Sequence, residues 1–254
     1  MSSENYSKFA QLYSSGSYPQ YSRYIAGKFP DILGKLRARP SIVLDLACGE
    51  GTFAVELAKL GYQATGIDKS EEMIDLARDN AEEEGVDVTF FQQDMRELSL
   101  DGRFDFVTSW FDSMNYLLTR SDFRETLGNV HELLREGGYF VFDVNTIHGL
   151  SVQWQEHDCY VQRDDSSVFE LHRTGYDRPE RIARLTITFF VNNGSDWEKH
   201  EEVHLEKGYE LDEIEEMARS AGFVIPDVWS DLENFDPPED DSGRVWFALK
   251  KAEG

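Results

Sequence analysis

Over residues 40–146 the spacing of hydrophobic positions alternates between two patterns. Residues 41–46 read SIVLDL, a short apolar run before a glycine-containing turn, which is typical of a buried parallel strand. The next two segments have apolar residues at helical spacing, and they end at Gly61 and Gly85. Continued along the chain, the alternation predicts strands at 41–46, 63–67, 86–92, 104–110 and 139–144, and helices at 52–60, 71–84 and 122–135, the last closed by Gly137 and Gly138.

Strands and helices in alternation predict a parallel sheet with helices on both faces. Connections between parallel strands of one sheet are right-handed, which limits the topologies that are possible. Open sheets of this kind bind ligands beyond the carboxyl ends of their strands. Before Arg39 the pattern is helical, with scattered tyrosines, namely Tyr6, Tyr13, Tyr18, Tyr21 and Tyr24.

After Asn145 the periodicity changes to that of extended strands. Residues 154–205 contain several runs of period two, and Asn193-Gly194 is a turn signal between two of them. We therefore expect an antiparallel insert. A helix at 211–221 and strands at 224–229 and 245–250 then resume the α/β pattern, and the last strand could return antiparallel. The acidic loop at 231–244 is expected to be exposed and mobile.

Length and charge limit the class of protein. A chain of 254 residues suits one large α/β domain with a small insert. The formal net charge of -24 repels phosphate backbones and anionic lipid, so nucleic acid and membranes are not expected partners. The sequence has no apolar stretch of membrane-spanning length, no secretory signal and only Cys48 and Cys159. These features predict a cytoplasmic protein, monomeric or homodimeric, with a small-molecule substrate.

The segment DLACGEGTFA at 45–54 is the strongest candidate for a binding site. Gly49 and Gly51 lie between a strand and a helix, where glycine lets a ligand approach the backbone and the helix start offers free N–H groups. Asp68 ends the second strand about 20 residues later, where an acid can bind both ribose hydroxyls. This spacing is shared by nicotinamide cofactors and S-adenosylmethionine, so both remain possible at this point.

Acidic residues favour the second of these cofactors. Asp45 and Glu50 place carboxylates at the loop, where a pyrophosphate would be repelled and the positive sulfonium and ammonium groups of S-adenosylmethionine would be attracted. Asp94, at the end of the third strand, can accept a hydrogen bond from an adenine amino group. The sequence therefore predicts an acidic site for a positively charged nucleoside.

Five segments in order resemble the motifs of class I S-adenosylmethionine-dependent methyltransferases. They are DLACGEGTF, GIDKSEEMI, FFQQDMREL, FDFVTSWFDSMNYL and LLREGGYFVFDVNT, within residues 40–146. The family implies a Rossmann-like α/β fold with a seven-stranded sheet, its last strand antiparallel, and helices on both faces. The strand-rich insert resembles that of small-molecule enzymes such as amino-sugar N,N-dimethyltransferases. The implied domains are an N-terminal helical cap at 1–39, a cofactor domain at 40–146 and 209–254, and a substrate-side insert at 147–208.

The resemblance also implies roles for individual residues. Ala47 stands where the family usually has its first glycine, and an N-terminal tyrosine, Tyr21 or Tyr13, is expected to close over the cofactor. Base-methylating enzymes carry an NPPY-type motif where this chain has FDSMNY. The cofactor-binding residues implied in this way are Tyr21, Asp45, Ala47, Gly49, Gly51, Asp68, Lys69, Met73, Asp94, Met95, Phe111 and Ser113.

Several assignments compete with structural alternatives. Asp68 and Asp94 could instead cap helical turns, and Met73 could belong to the core. Asp112 and His204 are the candidate catalytic residues, as substrate-orienting group or base. His200, Glu202 and His204 would share one face of a strand, a spacing that metal ligands also use, but no metal is expected.

The expected reaction is in-line displacement of a methyl group from S-adenosylmethionine by a nitrogen or oxygen of the acceptor, with S-adenosylhomocysteine as product. Two alternatives stay open on the sequence: a nicotinamide-dependent oxidoreductase of similar fold, and a non-catalytic subunit that binds the cofactor.

Overall fold

The computed structural model describes residues 18–252 together with Tyr13 and Gly16, so Tyr6 and most of the segment before Tyr18 lie outside the described residues. The helices are α1 (Tyr18–Leu36), α2 (Thr52–Lys59), α3 (Glu71–Glu84), α4 (Arg120–Leu133), α5 (Ile147–Ser151) and α6 (Leu211–Ser220). The strands are β1 (Ile42–Leu46), β2 (Gln63–Asp68), β3 (Thr89–Gln92), β4 (Phe104–Ser109), β5 (Leu134–Asn145), β6 (Cys159–Asp164), β7 (Val168–Asp177), β8 (Ile182–Asn192), β9 (Trp197–Lys207), β10 (Phe223–Trp229) and β11 (Arg244–Lys251).

Seven strands form the central sheet in the order β10-β11-β5-β4-β1-β2-β3. β1 pairs in parallel with β2 and with β4, whereas β11 runs antiparallel to both of its neighbours, β5 and β10. The predicted seven-stranded α/β sheet with an antiparallel end is confirmed. The chain order reverses between β1 and β4, which is the position where open α/β sheets bind ligands.

Two apolar cores lie on opposite faces of this sheet. On one face α1, α2 and α3 pack around Phe29, whose ring meets Phe53 and Phe106 edge to face. On the other face α4 and α6 pack around Phe123 and Phe142. Edge-to-face aromatic packing stabilises the fold beyond what the burial of these side chains contributes. Because both faces are covered, the central strands β1, β4 and β5 are mostly buried and rich in apolar residues, as the runs at 41–46 and 139–144 predict.

The remaining four strands form a separate antiparallel sheet in the order β6-β7-β8-β9. β8 and β9 are joined by the turn that contains Asn193 and Gly194, where Gly194 has a φ of 95°. The turn signal and the antiparallel arrangement were therefore predicted correctly. The domain boundaries assigned from the sequence remain predictions. Among residues 18–252 no helix is both long and apolar enough to cross a membrane.

Some of the predicted boundaries of strands and helices are wrong. The third strand begins at Thr89 rather than at residue 86. Helix α4 ends at Leu133, and β5 begins at the next residue and contains both glycines that were expected to close the helix. A Cβ on Gly138 would lie 2.9 Å from the carbonyl oxygen of Arg135 and 3.0 Å from that of Asp105, so this glycine permits close backbone packing within the sheet.

The short helix α5 was not anticipated, and the acidic loop at 231–244 is not wholly exposed. Leu232 is buried in the first core. The Asp231 carboxylate accepts hydrogen bonds from the backbone N–H groups of Glu233 at 2.8 Å and Asn234 at 2.6 Å. A side chain that binds its own following backbone orders a turn locally, which explains how an acidic loop is held.

The turn after β1 depends on residues with positive φ. Ala47, Gly49 and Gly51 have φ values of 55°, 54° and 81°. A Cβ on Gly51 would lie 2.7 Å from the Cβ of Ala77 and 2.8 Å from the Phe90 ring, whereas nothing lies within 4 Å of a Cβ on Gly49. Gly51 is therefore needed for packing against α3 and β3, and Gly49 leaves open space beside the backbone.

We expect Gly51→Ala to lower the free energy of unfolding by about 2–5 kcal/mol, because a left-handed conformation and an overpacked contact both become unfavourable. Gly49→Ala is the matched variant, since it shares the left-handed conformation without the clash, and it should cost only about 1–2 kcal/mol. Urea denaturation of both variants measures the difference. Equal losses would show that Gly51 has no packing role.

Candidate functional site

The carboxyl ends of β1 to β4 and one face of the second sheet enclose a cavity of about 560 Å³. This is the size range of small-molecule sites. Most of the residues singled out in the sequence line it together: Tyr13, Asp45, Ala47, Gly49, Asp68, Lys69, Met73, Asp94, Met95, Phe111, Asp112, Ser113 and His204.

Two predicted cofactor residues do not line the cavity. Gly51 packs against α3, as described above. Tyr21 is packed behind the cavity wall, with its ring 4.9 Å from that of Phe111 and 5.7 Å from the Arg244 guanidinium. Tyr18, one turn earlier on α1, lines the cavity together with Tyr13, and their rings stack at 4.6 Å. The helical spacing of the tyrosines could not show which of them faces inward.

Asp68 holds the turn after β1 in place. One carboxylate oxygen accepts a hydrogen bond from the backbone N–H of Gly49 at 2.9 Å, and the other accepts from that of Ser70 at 2.8 Å. Burial raises the pKa of Asp68, although the backbone N–H groups oppose the shift. Each carboxylate oxygen can accept a further hydrogen bond, so Asp68 can organise the turn and still bind a ribose hydroxyl. The alternative of a local cap and the predicted role are therefore compatible.

Two more carboxyl groups lie beneath the turn. Burial raises the pKa of Asp45 to about 8, against a hydrogen bond of 2.9 Å from the Thr108 hydroxyl and with a smaller contribution from neighbouring Asp68. Burial also raises the pKa of Glu50. Its carboxylate accepts hydrogen bonds from the Thr52 hydroxyl at 2.8 Å and from the side-chain amide of Asn80 at 2.6 Å. Raised pKa values show that these groups would be stabilised by an added positive charge.

The segments after β2 and β3 and the start of α3 carry the side chains assigned to the adenine. Arg96 forms two hydrogen bonds to the Asp94 carboxylate, at 2.9 and 2.7 Å, and Lys69 lies 3.3 Å from it. The hydrogen bond from Arg96 is the largest cause that lowers the pKa of Asp94. Met73 is buried but also lines the cavity, so its position is compatible with both core packing and contact with a ligand.

These residues fit S-adenosylmethionine better than a dinucleotide. The turn leaves space at Gly49 and places the Asp45, Glu50 and Asp68 carboxyl groups along it. A pyrophosphate would bring further negative charge to these carboxyl groups, whereas a sulfonium and an ammonium would bring positive charge. The ribose, adenine and methionine assignments of individual residues remain predictions.

A buried ionic network supports the end of β4. Arg244 forms an ion pair with Asp112 at 2.8 Å and another with Asp143. Asn145 donates hydrogen bonds to Asp112 at 3.0 Å and to Glu206 at 2.9 Å. Burial raises the pKa of Asp143 to about 6 and, with Asp112 nearby, holds that of Glu206 well above its usual value. Because both oxygens of Asp112 are engaged, its geometry suits a positioning role, and its assignment as a catalytic residue remains a prediction.

The network holds an unfavourable backbone conformation. Phe111 and Asp112 have φ values of 60° and 54°, which non-glycine residues seldom adopt. The N–H of Asp112 donates to Asp143 at 3.0 Å, and the Ser113 hydroxyl donates to the carbonyl of Trp110 at 2.8 Å. This turn directs Phe111 into the cavity, and strain of this kind is common at functional sites.

His204 is buried at the far side of the cavity. Its Nδ1 is 2.9 Å from the Tyr116 hydroxyl, and its Nε2 is 3.6 Å from Glu202, too far for a hydrogen bond. His200 instead stacks on Phe189, with ring centroids 5.1 Å apart. The described part of the chain contains no group of three residues arranged to hold a metal ion. The role of His204 as a base remains a prediction.

The sequence analysis missed two histidines that line the cavity, His157 and His172. His172 on β7 is bonded to Glu170 and to Tyr160 of β6. Glu170 and His172 are two residues apart and therefore share a strand face, which was the available signal. Nothing in the sequence indicated that this face, rather than the other, points to the cavity.

Comparison with known proteins gives consistent results. A family model described as a methyltransferase domain matches residues 43–138. A methyltransferase-family protein of Geobacillus sp. (strain WCH70) is 36% identical over 211 residues, 82% of this chain and 84% of the relative. The dTDP-3-amino-3,4,6-trideoxy-alpha-D-glucopyranose N,N-dimethyltransferase of Streptomyces venezuelae is 29% identical over 79% of this chain and 84% of its own length. The crystal structure of an S-adenosylmethionine-dependent methyltransferase from Clostridium acetobutylicum ATCC 824 superposes with a TM-score of 0.85, at 25% identity, covering 98% of this chain and 99% of that one.

The raised pKa of Asp45 predicts a pH-dependent stability. Between the normal carboxyl pKa near 4 and its folded value of about 8, the folded chain holds a proton that the unfolded chain releases, so stability falls as pH rises. Asp45→Asn removes this term. We measure the free energy of unfolding of the variant and of the wild type by urea denaturation. The difference, variant minus wild type, should rise by up to ~1.4 kcal/mol per pH unit between pH 5.5 and 7.5.

Asp105→Asn is the control for this measurement. Against the effect of burial, the backbone N–H groups of Ser41 and Ile42 and the guanidinium of Arg135 lower the pKa of Asp105. Its contribution is therefore lost only as pH falls into the acid range, and its difference from wild type should stay constant from pH 5.5 to 7.5. A constant difference for Asp45→Asn as well would mean that Asp45 ionises normally in the folded protein.

Proposed function

The chain belongs to the methyltransferase family that uses S-adenosylmethionine, and from that premise we propose that it methylates a nitrogen or oxygen atom of a small-molecule acceptor. The observation that carries the proposal is the single cavity shared by the glycine turn and the second sheet. One end has the acidic groups suited to the cofactor. The other end provides separate walls for an acceptor.

The enclosure of the cavity supports a small acceptor. Tyr160, His172 and Ile187 of the second sheet face the turn after β4 across the cavity. Trp154 and Tyr18 add aromatic walls. A long polymer would need a long open groove, whereas these residues line a cavity of about 560 Å³. The dimethyltransferase of Streptomyces venezuelae, whose name gives a nucleotide-linked amino sugar as its substrate, agrees with this size class.

The chemistry divides between cofactor and protein. S-adenosylmethionine supplies an electrophilic methyl group on a positively charged sulfur. The acidic groups near Gly49 bind the positive charge, and the strained turn at Phe111 fixes the geometry beside it. The second sheet and α1 exclude water and align the acceptor, which is the main contribution that a displacement of this type requires.

Titration calorimetry separates this proposal from its rivals. We expect S-adenosylhomocysteine to bind and NADH to give no heat, whereas the reverse result would favour an oxidoreductase, for which the comparisons give no support. Enzyme with S-adenosylmethionine is then offered amines, alcohols, phenols and acids, and methylated products are detected by mass spectrometry. Binding of the cofactor without turnover of any acceptor would favour a non-catalytic subunit.

We expect Asp68→Ala to weaken S-adenosylhomocysteine binding by about 1–3 kcal/mol, because the ligand loses a charged hydrogen-bond acceptor and the turn loses its anchor. Asp79→Ala removes an exposed carboxylate from α3 and should leave the affinity unchanged. Calorimetry gives the affinity, and thermal denaturation verifies that both variants are folded. Equal affinity of folded Asp68→Ala and wild type would contradict the ribose assignment.

A further inference from the structure

Four side chains in the second sheet and α1 form a continuous hydrogen-bonded row. The Tyr160 hydroxyl is 3.0 Å from His172 Nδ1, and His172 Nε2 is 2.6 Å from a carboxylate oxygen of Glu170. The Tyr18 hydroxyl donates to the same oxygen at 2.9 Å. His172 and Glu170 are each 4% exposed, whereas Tyr160 is 38% exposed and lines the cavity. Both ends of the row, Tyr160 and Tyr18, therefore line the cavity, and the buried His172 and Glu170 lie between them.

The bonds in this row have one consistent direction. Burial and the nearby Glu170 raise the pKa of Tyr18 and of Tyr160, so both phenols keep their protons. Tyr18 donates to Glu170, which leaves the carboxylate as acceptor for the N–H at Nε2 of His172. Nδ1 of His172 then carries a lone pair and accepts from Tyr160. The oxygen of Tyr160 keeps free lone pairs on the side of the cavity.

The surroundings of His172 favour a proton acceptor. On the neighbouring strand β8 the residue in register with His172 is the apolar Ile187, and Glu202 of β9 follows it in the same row. Tyr160 and Tyr18 are titratable groups that bond to His172 and Glu170, and Arg163 of β6 lies in register with Glu170. A buried carboxylate beside an imidazole stabilises the imidazolium that forms when a proton arrives.

The Tyr18 end of the row lies close to the proposed site of methyl transfer. The ring of Tyr18 meets that of Phe111 edge to face, with centroids 6.2 Å apart, and Phe111 is the residue that the strained turn directs into the cavity. Tyr18 thus links Glu170 to the wall beside the expected sulfonium.

We propose that Tyr160, His172 and Glu170 form a proton relay and that the acceptor of this enzyme is a hydroxyl compound, an inference that rests on the proposed methyl transfer. A neutral amine attacks a methyl sulfonium without a base and can lose its proton to water afterwards. A hydroxyl is a weak nucleophile until its proton leaves, so it needs a base while the new bond forms. The relay provides that base at the cavity wall.

The atoms and charges of this step balance. The acceptor oxygen forms a bond to the methyl carbon as the carbon–sulfur bond breaks, and that electron pair stays on sulfur. The hydroxyl proton of the acceptor moves to the Tyr160 oxygen while the phenolic proton of Tyr160 moves to Nδ1 of His172. The positive charge that leaves sulfur therefore appears on the imidazolium, beside the Glu170 carboxylate. In this scheme Tyr160 touches the acceptor, and Glu170 is a positioning residue.

The tautomer of His172 tests the direction of the relay without any acceptor. Nitrogen-15 NMR of the wild-type protein, with and without S-adenosylhomocysteine, is assigned by the signal that disappears in His172→Gln. We expect neutral His172 with its proton on Nε2. A proton on Nδ1 instead would mean that His172 donates to Tyr160, which would overturn the relay.

Acceptor assays test the chemistry. Matched phenols and anilines, and matched alcohols and primary amines, are offered with S-adenosylmethionine. We expect methylation of a hydroxyl compound, and a fall in kcat of about 10²–10⁴-fold in Tyr160→Phe and His172→Gln with little change in the KM of the acceptor. Glu170→Gln keeps the shape and an acceptor oxygen but not the charge, so its loss should be smaller. Turnover of amines alone, or full kcat in Tyr160→Phe, would contradict the proposal.

Matched controls identify purely structural effects. Tyr176→Phe removes a phenolic hydroxyl from β7, the strand of His172, and His200→Gln removes an imidazole from β9. Neither Tyr176 nor His200 lines the cavity. Both should retain the wild-type kcat. All variants are first titrated with S-adenosylhomocysteine. If the wild type does not bind it, the proposed function itself is wrong, whereas binding and turnover with a reversed tautomer or unaffected variants contradict only the relay.

Discussion

The hydrogen bonds from the backbone of Gly49 and Ser70 to Asp68 are the interaction on which the site depends. They join the turn after β1 to the start of α3, so the ends of two neighbouring parallel strands form one surface. A carboxylate that accepts two N–H groups replaces the water that these groups would otherwise bind. The turn can then keep its left-handed residues and leave its backbone open to a ligand.

Around this surface the protein places carboxyl groups where burial disfavours their ionised form. Asp45, Glu50 and Asp68 all have raised pKa values, and burial is the largest cause in each case. The charge of an ordinary surface carboxylate is screened by solvent, whereas buried groups respond strongly to a charge placed beside them. A cationic ligand would favour the ionised carboxylates, whereas the pyrophosphate of a dinucleotide would disfavour them further. The electrostatics of these groups therefore suit S-adenosylmethionine.

The second sheet completes the site from the other side. Its four strands pair with one another in a sheet separate from the central one, and residues of this sheet form a second wall of the cavity. The buried network of Arg244, Asp112 and Glu206 connects the two parts, because Glu206 belongs to β9 and Arg244 to β11. In the proposed function the insert carries side chains that contact the acceptor.

The sequence by itself determined the order of the strands and longer helices, the glycine turn and the acidic residues near it, and the family resemblance implied the antiparallel end of the sheet. The features that the sequence determined depend on local periodicity, on turn chemistry and on residues close together along the chain. Only the tertiary structure decided that Tyr18 rather than Tyr21 faces the cavity and that Gly51 serves packing. It also decided that β7 turns Glu170 and His172 inward. Such choices depend on which face of an element meets a distant one, and a strand's alternation identifies its two faces without saying which will be buried against a partner.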